Sequence, residues 1–179
     1  MITRILGPSG AGKSHIVHGI LNRCATRWVP IYNGDRRRPL YYQFGPRKIL
    51  GHYMIKNGGV DTLSESLESI YRMISDLHSD QNSRVLYEGK GLSDGSVRTI
   101  KLVQEGYPVT VVYLTTSPRQ CIDSVRQRGH KISERSIRES FYKIERAVGL
   151  MVDAGVRVEK YSRGDALARV AQLMELDNV

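Results

Sequence analysis

Gly7-Pro8-Ser9-Gly10-Ala11-Gly12-Lys13-Ser14 fits the pattern G-x-x-x-x-G-K-[ST], whose residue types suit phosphate. Glycines let the chain curl so that successive N–H groups converge on phosphate oxygens. Lys13 adds a mobile positive charge for the β- and γ-phosphates. Ser14 offers a hydroxyl to a Mg²⁺ ion that keeps most of its waters. A helix opening at this point aims the positive end of its dipole at the same phosphates.

Three acids are candidates for handling a proton or a metal. Asp35 follows the apolar run Trp28–Tyr32, and the carboxyl edge of a parallel sheet is where ligands bind. There it could take a proton from an attacking hydroxyl, with Arg36, Arg37 and Arg38 binding a phosphate beside it; an Asx turn followed by a solvated basic run is the alternative. Asp61 follows Gly58-Gly59, whose tight turn could swing its carboxylate into a cleft. Thr62 and Glu65 also fit a capping box, in which case Asp61 only supports a helix start. Glu88 ends the apolar run Arg84–Glu88, where an acid could organise Mg²⁺ through water or hold the nucleophile.

Cations supply the remaining chemistry. Arg126 and Arg128, with Lys131, Arg135 and Arg138 beyond them, follow a helix opened by Ser117-Pro118. Arginines on such a segment (about 126–138) can close over ATP and neutralise charge on the transferring phosphoryl group; a solvated helix face is the alternative. Tyr41, Tyr42, Phe44 and Tyr53, interleaved with Arg47, Lys48 and His52, suit stacking on bases and holding a sugar-phosphate backbone. They equally suit a small helical subdomain with an aromatic core.

The elements that must position these groups follow from periodicity. Strands are expected at 2–6, 28–32, 84–89, 109–114 and 156–161. Helices are expected at 13–26, 63–77, 96–104, 118–128, 134–153 and 165–176, with 40–60 the least regular stretch. The alternation predicts a parallel five-stranded sheet with helices on both faces, in one domain over 1–179 with a substrate-binding insert at about 36–80.

At 179 residues, 40% hydrophobic and 25% charged, the chain can bury a substantial core. No apolar run is long enough for a bilayer. Without a signal-peptide pattern, and with Cys24 and Cys121 in apolar helical settings, a reduced cytoplasmic protein is expected. The net charge of +9 suits a polyanionic partner such as DNA as well as ATP.

Together these pieces resemble the small P-loop kinases: nucleoside-monophosphate kinases, polynucleotide 5′-hydroxyl kinase and zeta-toxin-type kinases. The resemblance implies a three-layer fold with sheet order 2-3-1-4-5, ATP, Mg²⁺ and in-line transfer to a hydroxyl or phosphate. It makes Lys13 and the loop residues Gly7 to Ser14 nucleotide ligands, with Arg126. Asn33-Gly34-Asp35-Arg36-Arg37-Arg38 looks like the N-x-D-x-x-R stretch of polynucleotide kinase, which implies a base at Asp35 and a phosphate ligand at Arg38. Leu50-Gly51-His52-Tyr53, Gly58-Gly59-Val60-Asp61-Thr62 and Tyr87-Glu88-Gly89 are similar to small phage-encoded kinases. Some of those phosphorylate 5-hydroxymethyluracil bases in DNA, which implies an acceptor base rotated out of the duplex. Asp61 and Asp35 then compete for the role of base. Tyr53 contacts substrate, and Glu88 lies near metal or substrate.

Three functions fit: a kinase acting on a hydroxyl within nucleic acid, a kinase of a free nucleoside, nucleotide or 5′-hydroxyl end, and a nucleotide-gated binding module. The N-K-x-D motif of a GTPase is absent from the sequence. ATP against GTP and the oligomeric state are left open by the sequence.

Overall fold

In the computed structural model the described residues are 1–34, 36–54, 58–89, 96–129 and 132–176. In chain order the strands are β1 (Ile2–Leu6), β2 (Val29–Ile31), β3 (Tyr41–Phe44), β4 (Arg47–Leu50), β5 (Arg84–Glu88), β6 (Val109–Leu114) and β7 (Arg157–Tyr161). The helices are α1 (Lys13–Arg23), α2 (Leu67–Leu77), α3 (Ser96–Gln104), α4 (Pro118–Gln127), α5 (Glu134–Asp153) and α6 (Arg163–Leu173). Among the described residues no helix is long and apolar enough to cross a membrane.

The strands form one sheet of order β2-β3-β4-β5-β1-β6-β7. Five of them, β4 to β7 in that order, are mutually parallel. Side chains alternate between two cores, as the pleat requires. Ile2 and Leu6, Val85 and Tyr87, and Val109, Val111 and Tyr113 meet α2, α3 and α5. Ile5, Leu86, Val112 and Leu114 meet α1, α4 and α6. Glu88, two residues beyond Leu86, therefore faces α1.

The expected five-stranded sheet is corrected to seven strands. β5, β1, β6 and β7 keep the expected order, but the place beside β5 belongs to β4, not to the strand at Trp28–Tyr32. Residues 41–50, expected to be irregular, fold into an antiparallel hairpin with Phe44 opposite Arg47. Gly45, at φ 54°, makes the turn with Pro46. The burial gain decides which strand lies inside. Ile49 and Leu50 are fully buried, whereas Val29 is 56% exposed. β2 is thus the outer edge, three places from β5 and antiparallel to β3.

A second correction concerns the start of α2. Ser66, not Thr62, is its N-cap, accepting from the Ser69 amide. Thr62 instead donates to the Gly59 carbonyl at 2.6 Å, within a single 3₁₀ turn, Val60–Thr62, that carries Asp61.

Candidate active site

The loop between β1 and α1 is built on backbone that only glycine tolerates. Gly12, the N-cap of α1, has φ 105°, and a Cβ there would lie 2.6 Å from Arg163 Nε. Lys13 follows it and is buried. Its ammonium donates to the carbonyls of Gly7 and Pro8 at 2.7 and 3.1 Å. Burial lowers the Lys13 pKa, opposed by the Glu88 and Asp61 carboxylates.

β1 and β5 are neighbours, with Ile5 opposite Glu88, so the acid that ends β5 stands beside the loop that leaves β1. Ser14 Oγ donates to Glu88 Oε1 at 2.9 Å. Glu88 is 3% exposed. Burial raises its pKa, against the pull of Lys13 and the Ser14 hydrogen bond. The Gly58-Gly59 turn closes over it: a Cβ on Gly59, at φ 120°, would sit 2.9 Å from Glu88 Oε1. That close approach brings the 3₁₀ turn, and Asp61 with it, to the end of β5.

Tyr53 lies under the same turn. Its ring meets His18 of α1 edge-on at 5.9 Å, and its amide donates to the Tyr42 hydroxyl at 3.1 Å. The Tyr53 hydroxyl is buried and makes no hydrogen bond of normal geometry. Burial, with the nearby Glu88 and Asp61 carboxylates, pushes this phenol well above its ordinary pKa.

Tyr53 is buried and does not line the cleft expected to take substrate. That cleft, of about 580 Å³, has walls that include the loop, Lys13, Ser14, Asp61, Glu88, Arg128 and Arg163. A second, polar pocket of about 450 Å³ shares Ser124, Gln127 and Arg163 and adds Thr115, Thr116 and Gln120. Arg128 donates to the Ser124 carbonyl at 3.0 Å. Arg126 is exposed, forms an ion pair with Glu134 and does not line the cleft. Arg36 reaches back to the turn, donating to the Leu63 carbonyl and to Glu65 Oε1. Arg37 and Arg38 are exposed. Asp35 and Lys131 lie outside the described residues.

Sequence reasoning passed over two features of the site. Arg163, at the first position of α6, donates to the Gly10 carbonyl at 2.6 Å and the Ala11 carbonyl at 3.1 Å. It thereby ties the loop to α6 through two of the loop's carbonyl oxygens. The other is a wall of α1 carrying Ser14, His18 and Asn22, whose i, i+4, i+8 spacing was readable once Ser14 was placed on a helix.

The chemistry available is that of a phosphate cradle opposed by two carboxylates. Among the described residues no group of three or more His, Cys, Asp or Glu is gathered to hold a metal. Magnesium does not need one: it takes hard oxygen ligands and keeps most of its waters. The Ser14 hydroxyl and Glu88 carboxylate, already in contact, fit that requirement.

No family model matches the chain. The "5-hmdU DNA kinase" of Pseudomonas phage PaMx11 is 30% identical over 186 residues, covering 97% of each chain. A solved deoxyadenosine kinase from M. mycoides, with dCMP and dCDP bound, aligns over all of both chains with a TM-score of 0.51 at 13% identity. At that identity the likeness speaks to the fold, a parallel-dominated α/β sheet with helices on both faces. Full-length agreement with the phage enzyme speaks to descent: the chain belongs to the kinase family of the phage 5-hmdU DNA kinase.

Proposed function

We propose that this kinase moves the γ-phosphoryl group of ATP to the 5-hydroxymethyl group of 5-hydroxymethyluracil in DNA. The observation that carries the acceptor is the 30% identity over 97% of both chains to an enzyme named for it. The cleft supports the reaction class, since a complete phosphate loop and the two acids Asp61 and Glu88 share its walls.

In this reading the loop N–H groups and Lys13 hold the β- and γ-phosphates, and the nucleoside end of ATP takes the pocket lined by Thr115, Gln120 and Gly164. Arg128 faces the transferring group from the opposite wall. The acceptor hydroxyl approaches past Asp61. Its oxygen bonds to the γ-phosphorus as the bond to the ADP oxygen breaks, and its proton passes to the Asp61 carboxylate. Glu88 already accepts from Ser14 and is turned to the loop, so it serves with Ser14 to hold Mg²⁺. That ion, when bound, supplies charge neutralisation between the phosphates. Asp35, the other candidate base, lies outside the described residues.

The test is transfer from γ-labelled ATP to a panel of acceptors: DNA with 5-hydroxymethyluracil, the same DNA with thymine, a 5′-hydroxyl oligonucleotide, and free nucleosides and nucleotides. Label confined to the first DNA is expected. Label at a 5′ end, or only in free nucleosides or nucleotides, overturns the acceptor and leaves an end kinase or a metabolite kinase.

A further inference from the structure

The positive charge is not spread along the chain. Residues 1–60 hold ten Lys and Arg against one acid, Asp35, while residues 61–179 hold seventeen of each sign. The whole net charge thus belongs to β1, the phosphate loop, α1 and the segment that carries β2, β3 and β4.

Most of those ten cations have assigned work. Arg4 is buried and donates to Thr99 Oγ1 at 2.6 Å, and Lys13 serves the loop. Arg36 is held by Glu65. Arg47 donates to the Met174 carbonyl at 2.7 Å, and Lys48 to the Leu77 carbonyl at 2.6 Å. Lys56 lies outside the described residues. Four remain: Arg23, Arg27, Arg37 and Arg38. All are exposed, and none has an acidic partner among the described residues. The guanidinium carbon of Arg27 stands over the Phe44 ring, 4.4 Å from its centroid.

These four bracket the edge strand β2. Arg23 and Arg27 precede it, at the end of α1 and in the turn beyond. Arg37 and Arg38 follow it. The strand presents Val29, 56% exposed, and is followed at once by Tyr32, 46% exposed. A three-residue strand is about 10 Å long. An exposed edge with cations at both ends is complementary to a sugar-phosphate backbone.

We infer that the outer edge of the sheet, β2 with Arg23, Arg27, Arg37 and Arg38, is the surface on which duplex DNA docks while its target base enters the cleft. The inference rests on the reading of DNA as acceptor and adds where the rest of the duplex lies. β2 is about 14 Å from the strand of Glu88 across the sheet. Arg37 and Arg38 follow it at the end of the sheet where Glu88 lies, and Arg23 and Arg27 precede it at the other end. The surface therefore spans less than one turn of duplex at about 34 Å per turn. Arg36 and Arg38 run between the two places: Arg36 binds the turn that carries Asp61, and the charge of Arg38 reaches His52. Contacts of this kind position the DNA and carry no sequence information.

The experiment measures the affinity of a 20-base-pair duplex with one central 5-hydroxymethyluracil, by fluorescence anisotropy from 50 to 200 mM salt. R23Q/R27Q is expected to weaken binding about tenfold and to reduce the slope of log affinity against log salt by about two, one for each phosphate no longer neutralised. KM for the duplex rises with it, while affinity for ATP stays. R23Q alone leaves Arg27 on Phe44 and is expected to remove about one unit of slope, so the test survives if displacing Arg27 from Phe44 perturbs folding. K143Q/R146Q, on the exposed face of α5, removes as much charge elsewhere and is expected to leave the slope within about half a unit. Unchanged affinity and slope in R23Q/R27Q, or an equal loss in K143Q/R146Q, overturns the docking surface. A wild-type enzyme that binds the duplex through these arginines but never labels it overturns the acceptor and leaves the docking surface standing. One that labels DNA with R23Q/R27Q unaffected does the reverse.

Discussion

Glu88 and Glu159 stand on parallel strands of one sheet, each beside a cation, and their surroundings drive them in opposite directions. Glu159 is gripped from two sides. Arg169 Nε and Nη2 meet its two oxygens at 2.7 and 2.9 Å, and Arg157 Nε adds a contact at 2.7 Å. Those hydrogen bonds, Arg169 foremost, bring its pKa down to about 2. Glu88 is buried and accepts from a neutral hydroxyl at 2.9 Å. The nearby ammonium of Lys13 spends its donors on the carbonyls of Gly7 and Pro8. The Glu88 pKa accordingly rises through burial. A carboxylate satisfied by a bidentate arginine fork supports structure. One kept dry and half-satisfied remains ready to bind an incoming charge. The cost of burying Glu88 is borne by the fold, and in the proposed function binding of nucleotide and cation would recover it.

The largest test of that contrast is removal of the charge that faces Glu88. Lys13→Ala is expected to lower kcat for transfer by about 10³-fold, as loss of a preorganised electrostatic group does. Labelled transfer at saturating DNA measures it, and activity within tenfold of wild type would detach the loop from the chemistry. Glu88→Gln is expected to lower kcat by about 10²-fold and to remove the part of the acidic limb of the pH–rate profile that Glu88 sets. In the wild type that limb should lie above the ordinary glutamate range, because Glu88 must ionise and its pKa is raised. Asp61→Asn should cost a comparable factor while leaving affinity for ATP intact, which separates proton acceptance from nucleotide binding. The stability of Glu88→Gln sharpens the comparison. A raised carboxyl pKa means the folded state binds the extra proton, so this group's contribution to stability falls as pH rises above about 4.5, the ordinary value. Glutamine removes that slope, and a variant less stable than wild type at neutral pH would contradict the picture of a strained acid.

The same contrast explains what the sequence could show. β1, β5 and β6 were legible as short apolar runs because both of their faces are buried. The loop was legible by its motif, α1 by the helical spacing of its apolar residues, and β7 as the last strand of the alternation. The hairpin at 41–50 was not, because Tyr41, Tyr42 and Phe44 alternate with polar residues in a way that suits base stacking as well as a pleated strand. Gly45-Pro46 was the signal that separates the two. Tyr42 and Ile49 go into the core with Trp28, which only the paired strands reveal. In the cleft, Glu88 was readable as the end of an apolar run beside the first strand, and Asp61 as the acid after two glycines. Arg163 left no local trace: its two bonds to the loop cross about 150 residues of sequence and exist because α6 packs on α1. Arg126 shows the converse, a residue with the right type and spacing whose side chain is taken by Glu134.

Arg163 gives an intermediate effect, because it touches the cradle and not the reacting atoms. Arg163→Ala removes a donor from the Gly10 carbonyl, leaves the Ala11 carbonyl with the Thr116 hydroxyl at 3.0 Å, and weakens the support of the loop in its phosphate-ready curl. KM for ATP is expected to rise about tenfold with kcat changed less than threefold, the signature of lost preorganisation in binding (about 1.4 kcal/mol). Arg163→Lys, which can reach one carbonyl but not two, should fall between. An equal loss of kcat in both variants would make Arg163 part of the transfer step.

The smallest effect on activity, and a plain one on stability, belongs to Glu159. Glu159→Gln replaces a carboxylate that accepts from Arg169 and Arg157 with an amide that can satisfy one of them, and charged hydrogen bonds of this kind are worth about 1–3 kcal/mol. The pH dependence has a definite sign. The folded pKa is depressed to about 2, below the ordinary value near 4.5, so the contribution is complete above pH 4.5 and is lost as pH falls towards 2. Urea unfolding midpoints across that window should drop more steeply for the wild type than for Glu159→Gln, and the two should converge near pH 2. Transfer at pH 7 should be the same in both. A Glu159→Gln enzyme with impaired transfer would mean that the two carboxylates are coupled through β6 and β1, and that the division between a working acid and a supporting one is drawn in the wrong place.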